Sequence, residues 1–478
     1  MTDTCSGELQ TSSAKRIEEL IKETQEDPEN VQILTFRERI VGEEAAEALA
    51  KQRLPNLNVL DLADMEIGPK GAGKLASNET WVKLRELFLK GNNLQDIGVV
   101  SLAQNKSWKS LEILGLVEND FGCEGAIALA TNPTWTNLLQ LHLSSNNIGE
   151  EGAAKLGENE TWQHLEMLYL MNNKIGPGGA GKLSLNKAWV NLRVLSLSFN
   201  NIGDEGAAAL AKNTSWVNLQ TLELMANNIG AEGATQLATN ESWVSLRELD
   251  LVQNDLHGGG AAGLAANKSW VNLETLNLSN TNMGDDGAAG LATNTSWVKL
   301  RLLNLQQNNI ADEGIGAIAL NTTWVDLRLL YLSMNLIGDK GAAKLGENTT
   351  WTNLEELDLT TNVIGDEGLT KLGENTAWKN LEVLLLTGNQ FMDDGISGLG
   401  KNRSWSNLGI IEFSDIIISS KVVIEMALNP FWPKLHSVDL PEDDLGPAAL
   451  TALEVIKTRN LNMFGYSDDE ESEYNDDV

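Results

Sequence analysis

The stretch Asn213-Thr214-Ser215-Trp216-Val217-Asn218-Leu219 decides how this chain is built, because its tryptophan recurs at one fixed spacing. Trp81, Trp108, Trp135, Trp162, Trp189, Trp216, Trp243, Trp270, Trp297, Trp324, Trp351, Trp378, Trp405 and Trp432 are all the tryptophans present, and each follows the last by 27 residues. A fixed period of that size is what a solenoid produces: one supersecondary unit is stacked many times and buries its core against its neighbours. The 478 residues therefore read as one elongated repeat domain and not as several globular ones.

Beyond the tryptophan, Leu222 and Leu224 alternate with Thr221, Glu223 and Met225, the period of two of a strand with one buried face. Asn227 ends the strand, and its amide can satisfy backbone groups that a turning, buried chain leaves unpaired. Asparagine holds this position at 92, 119, 146, 173, 200, 227, 254, 308, 335, 362 and 389, interrupted at Thr281. An asparagine ladder is expected, with Asn280 compensating at the interruption. The segment from Gly203 to Ala211 has an acidic first turn and a run of alanines, which predicts a helix of two or three turns. Gly206, repeated thirteen times from Gly71 to Gly395, is expected where the helix start passes closest to a neighbour.

Asn213 and its equivalents, fourteen from Asn78 to Asn429, stand three residues before each tryptophan and are expected to end each helix as left-handed C′ caps. Trp216 then lies between cap and strand, where its ring fills the interior and its N–H is expected to find a backbone carbonyl of the adjoining unit. Fourteen identical copies describe a rule of construction and not a ligand site.

The domain plan follows. Residues 1–29 form an N-terminal capping segment with a short amphipathic helix from Ser13 to Ile21. Residues 30–460 hold about 16 units, of which the first lacks tryptophan and is one residue short. The last two lose the rules, with Ile416 at the ladder position and Val422 at the glycine position, as a C-terminal cap would. Residues 461–478 are an acidic tail expected to be disordered.

With 35 basic and 67 acidic side chains the net charge is −32, which repels phosphate backbones and anionic membranes and leaves a protein partner, preferably a basic one. Cys5 and Cys123 are too few for a disulfide framework. No basic n-region and apolar h-region open the chain, so a cytoplasmic protein is expected, as a monomer. His142, His164, His257 and His436 are scattered and form no catalytic or metal-ligand cluster, so neither an enzyme nor a cofactor is expected.

The unit LxxLxLxxNxI followed by a helix resembles the leucine-rich repeat, and the segment from Gly203 to Ala207 resembles the ribonuclease-inhibitor-like class. The run from Glu205 to Ala211 is also similar to the GALA subtype found among bacterial effector proteins. The resemblance covers about residues 30 to 460 and implies an α/β fold: a right-handed horseshoe with an inner parallel β-sheet and outer short helices. The 27-residue period and the tryptophan depart from the usual forms of both groups.

Function is expected where the repeat is free to vary. Between the two strand leucines the residues run Phe88, Gly115, His142, Tyr169, Ser196, Glu223, Asp250, Asn277, Asn304, Tyr331, Asp358, and two places later Met171 and Met225 stand among them. Tyr169, Met171, Phe199 and Met225 are expected to form an apolar patch bordered by Glu223 and Asp250, with Phe88, His142 and Tyr331 on the same face. The expectation is a non-enzymatic scaffold that docks a partner protein on its concave face, as a bacterial effector or an intracellular regulator. The alternative is a GTPase-activating regulator, since Ran GTPase-activating proteins combine similar repeats with an acidic C-terminal segment.

Overall fold

The computed structural model describes residues 28–36, 42–414, 416, 418–440 and 445–463. The helix expected near residues 13–21 and the acidic tail beyond 463 lie outside the described residues. The chain divides into two compact units, Met1–Leu273 and Glu274–Val478. Among the described residues the first holds nine parallel strands, from Ile33–Thr35 to Glu248–Asp250, and nine helices. The second holds seven strands, from Thr275–Asn277 to Ser437–Asp439, and seven helices ending in Pro447–Met463. Strands follow one another in chain order and in phase, so that Thr221 pairs with Glu248 and Leu222 with Leu249, one full period apart.

Each unit is closed by the same buried set. In one period Ala207, Leu210, Trp216, Leu219, Leu222, Leu224 and Ile229 are all fully buried. Removing such a side chain as the tryptophan to alanine would cost about 3–5 kcal/mol. Gly206 behaves as expected: a methyl there would come within 3.2 Å of Ala180 Cβ and Pro177 Cα of the preceding helix and would collide with Ile202.

The first asparagine ladder is present. Asn227 Nδ2 donates to Leu197 O of the preceding unit at 2.9 Å, while Asn254 Oδ1 accepts from the amides of Asn227 at 3.0 Å and Ile229 at 2.9 Å. At the interruption the structure corrects the expectation. Thr281 itself keeps the bonds within its own unit and to the next one, its hydroxyl lying 2.9 Å from both Leu278 O and Asn308 Oδ1.

Asn213 and its equivalents are not left-handed caps, for none of them has a positive φ. They build a second ladder. Asn213 Oδ1 accepts from the amides of Ser215 at 2.8 Å and Trp216 at 3.0 Å, holding the turn that follows the helix. Its Nδ2 donates to Ser184 O at 2.7 Å and Asn186 O at 3.0 Å of the preceding unit. A bifunctional amide reaching across the repeat boundary explains why asparagine is demanded here better than backbone strain does. At the far end Arg459 takes over the role: its guanidinium donates to Ala427 O, the carbonyl that the asparagine of a further unit would bond.

The tryptophan N–H is the second correction. Only Trp81 donates, to Gln52 O at 3.2 Å, in the unit where the chain is one residue short. The other thirteen indole nitrogens are buried with no acceptor. In the regular units ring packing therefore prevails over an indole hydrogen bond worth about 0.5–1.5 kcal/mol net.

The acidic first turn also does more than meet its own helix dipole. Asp204 Oδ1 accepts from the amides of Gly230 at 2.6 Å and Gly233 at 3.0 Å, capping the helix of the next unit. Asp96, Asp285, Asp312, Asp339 and Asp366 do the same one period on. Each capped residue is extended, with φ of −116° at Gly122, −108° at Ala311 and −97° at Gly365. Where the preceding unit offers Pro69, Cys123, Glu150, Pro177 or Ala231 instead, the same position is left-handed: Gln95, Gly149, Gly176, Gly203 and His257 have φ between 50° and 68°.

Candidate functional site on the exposed sheet face

Because the strands run in phase, the residue between the two buried leucines of each unit falls in one row. In the first unit that row runs from Asp61 into Phe88, Gly115, His142, Tyr169, Ser196, Glu223 and Asp250, each paired with the next. From Phe88 onward its chemistry changes from aromatic to acidic.

At the aromatic end the Phe88 ring lies over Gly115, where a Cβ would come within 2.9 Å of Phe88 Cδ1. The His142 and Tyr169 rings stack with centroids 4.6 Å apart and planes 16° off parallel. Gln140 Oε1 stands 3.2 Å from His142 Nε2. Burial holds the His142 imidazole below its ordinary pKa, so the ring is neutral at pH 7. Burial, and then the Glu223 carboxylate, push the Tyr169 phenol up, so it keeps its proton.

At the acidic end Glu223 and Asp250 sit side by side, joined by Glu248 from two places earlier on the strand. Burial first, then Glu223 and Asp250, raise the Glu248 pKa. Asp250 is raised by burial and by Glu223, while the bond it accepts from the Val252 amide at 2.9 Å works the other way. Glu248 and Asp250 thus ionise less readily than usual, and an incoming cation would relieve that.

The expected apolar patch is only partly assembled as drawn. Tyr169 turns toward His142, one strand back, rather than toward Phe199. Met171 and Phe199 are exposed at the edge of the sheet, at 39% and 40%, and Met225 is half-buried beside them. The Phe199 amide donates to Met225 O at 2.8 Å. Phe199 is held at φ 59°, a left-handed position that Ser145, Asn172 and Ala226 share in their own units. A bulky residue there costs about 1–2 kcal/mol, so its ring is presented outward at an energetic cost.

Tyr331 belongs to the second unit and has separate surroundings. It pairs in register with Asp358, beside Glu356, whose pKa is raised by burial and then by Asp358. Gln306 Nε2 reaches Asp358 Oδ2 at 3.1 Å. Reading by units missed Glu248, Glu356 and the role of Gly115. The signal for the glutamates was available, since the period of two places them on the face of Asp250 and Asp358. The face offers flat stacking surfaces and carboxylates. Among the described residues no group of three or more His, Cys, Asp or Glu side chains is arranged to hold a metal, and no helix is long and apolar enough to cross a membrane.

The family model described as Leucine Rich repeat matches residues 82–103, 136–157, 163–184, 190–211, 217–238, 244–265, 271–292, 298–319 and 352–373. The fold is therefore a leucine-rich-repeat solenoid, and the chain is a leucine-rich repeat protein with units of 27 residues. An internalin (inlF) from Listeria monocytogenes is similar at 20% identity and a TM-score of 0.50, over 84% of this chain and 94% of that one. The Rad7 and Elc1 complex in yeast is similar at 16% identity and a TM-score of 0.46, over 90% of this chain and 97% of that one. A TDR receptor is similar at 18% identity and a TM-score of 0.47, over 89% of this chain and 70% of that one. At 20% identity the likeness to the internalin is one of fold. No curated protein matches the sequence. The fold is one typical of protein–protein interaction scaffolds.

Proposed function

We propose that this protein is a non-enzymatic scaffold that docks a basic segment of a partner protein on the exposed sheet face of its first unit. The observation that carries the reading is the row itself. Positions buried in the solenoid repeat one residue type, whereas the row from Phe88 to Asp250 places two stacked rings at one end and three carboxylates at the other. Seven strands at about 4.8 Å spacing make a row of roughly 29 Å, the length of an extended peptide segment and not of a small metabolite. Aromatic anchors beside charged groups are typical of binding hot spots. The similarity of the units to ribonuclease-inhibitor-like and GALA repeats, together with the acidity of the chain, fits a monomeric regulator or effector that works in a cytoplasm.

Affinity capture with mass spectrometry tests this, comparing the natural chain with Tyr169→Ala plus Phe199→Ala and with Glu223→Gln plus Asp250→Asn. Partners rich in Lys and Arg should be depleted by both pairs. An unchanged set of partners would remove the row as the docking site.

A further inference from the structure

In the second unit the helices Asp393–Leu399 and Ser420–Ala427 enclose an open groove of about 580 Å³. One position in its lining departs from the repeat. Thirteen units carry glycine where the helix start meets its neighbour, and Val422 stands there instead, buried between the two helices. A branched side chain needs more room between packed helices than the hydrogen of a glycine does. The groove is apolar at its floor and basic at its rim.

Leu428 is 74% exposed, Phe431 is exposed beside it, and the Arg403 guanidinium stands 5.2 Å from the Phe431 ring centroid. Lys401 and Lys421 complete the rim. Among the described residues Glu425 is the one carboxylate lining the groove, and it is engaged by Lys421 at 3.6 Å and by Ser397 Oγ at 3.1 Å. Among the described residues no carboxylate pairs with Lys401 or Arg403. On a chain of net charge −32 this is a local reversal of sign next to uncovered apolar surface.

The same chain supplies a complementary segment close by. The helix Pro447–Met463 is anchored beside the groove wall, where the Arg459 side chain donates to the carbonyls of Ala427, Trp432 and Leu435. After Met463 come residues 464–478, which contain seven carboxylate side chains between Asp468 and Asp477 and the rings of Phe464, Tyr466 and Tyr474. Fifteen residues can span up to about 50 Å when extended, well beyond what the groove requires.

We propose that residues 464–478 dock into this groove, with their carboxylates on Lys401 and Arg403 and an aromatic ring against Leu428 and Phe431. The tail then covers the groove against other acidic, aromatic segments. Held on the same chain, it competes at an effective concentration in the millimolar range. This inference is independent of the sheet-face reading, since it involves a different surface and a different charge.

The test uses full chains and a fluorescein-labelled peptide of residues 464–478. In one chain the seven tail carboxylates are converted to amides (Asp→Asn, Glu→Gln). By fluorescence anisotropy that neutral-tail chain should bind the peptide at least about tenfold more tightly than the natural chain, whose own tail occupies the site. Lys401→Glu plus Arg403→Glu, in the neutral-tail background, should reduce binding by at least about tenfold. Lys401→Glu alone, at an exposed position, gives an intermediate loss if Arg403 proves needed for folding. Equal binding by natural and neutral-tail chains, binding by neither, or indifference to the basic substitutions would each overturn the proposal. Sedimentation supplies the remaining outcome: a natural-chain dimer that disappears in the neutral-tail chain would place the tail of a second copy in the groove and overturn the intramolecular form.

Discussion

Asp366 accepts the amide hydrogen of Met392 across a repeat boundary at 2.7 Å, and the same oxygen accepts from Gly395 at 2.8 Å. Met392 is thereby extended, at φ −128°, in a place that is left-handed at Gln95, Gly149, Gly176, Gly203 and His257, where the preceding unit has no aspartate. Asp366→Ala should destabilise the second unit by about 1–3 kcal/mol, because two helix-start amides lose their acceptor. The alternative left-handed start costs methionine about 1–2 kcal/mol, so Met392→Gly should return part of the loss. Urea midpoints of the single and double variants decide it, and equal midpoints would mean that the aspartate does not set the backbone.

Asn213 has separable halves. Asn213→Asp keeps the oxygen that accepts from Ser215 and Trp216 but replaces the donor to Ser184 O and Asn186 O with a second acceptor. A cost of roughly 1–3 kcal/mol is expected, close to that of Asn213→Ala, if the bond across the boundary dominates. Chemical denaturation of the two variants compares them directly. A nearly neutral aspartate would assign the position to the turn alone.

Trp81 and Trp216 are both fully buried but differ in one hydrogen bond. Trp→Phe at either position leaves a cavity. Only at Trp81 does it also remove a bond, to Gln52 O, so Trp81→Phe should cost about 1 kcal/mol more than Trp216→Phe. Thermal melting of the two variants measures the difference, which should vanish if packing alone matters.

Asp250 carries a pKa raised by burial and by Glu223, so the folded protein holds that proton more tightly than the unfolded chain does. Its protonated form therefore contributes stability at low pH, and that contribution is lost as pH rises through the raised value. At pH 7 the ionised group opposes folding, so Asp250→Asn should melt at a higher temperature than the natural chain. The gap should close as pH falls through the carboxylate range near about 4. A gap that does not change with pH would trace the effect to packing.

Much of the architecture was legible from residues such as Leu222, Leu224, Asn227 and Gly206, because each states a local requirement that is repeated many times over. The site was legible in outline. The row from Phe88 to Asp250 followed from the period of two, but the partner chosen by the Tyr169 ring did not. Tyr169 could lie toward His142 or toward Phe199 with equal sequence support, and stacking on a neutral, partly buried imidazole decided it.

The repeated residue pattern determined by itself the repeat length, the strand and helix order, and the set of buried side chains, since each is written in the residue types of every period. The tertiary structure decided which polar groups meet across the boundary between periods. It turned Asn213 from a helix cap into a ladder, gave Asp204 the amides of Gly230 and Gly233, and left thirteen indole N–H groups without an acceptor. Those pairings depend on the separation of neighbouring units to within a few tenths of an ångström. That separation is set by backbones meeting at Gly206, a contact between units that no single period of the sequence contains.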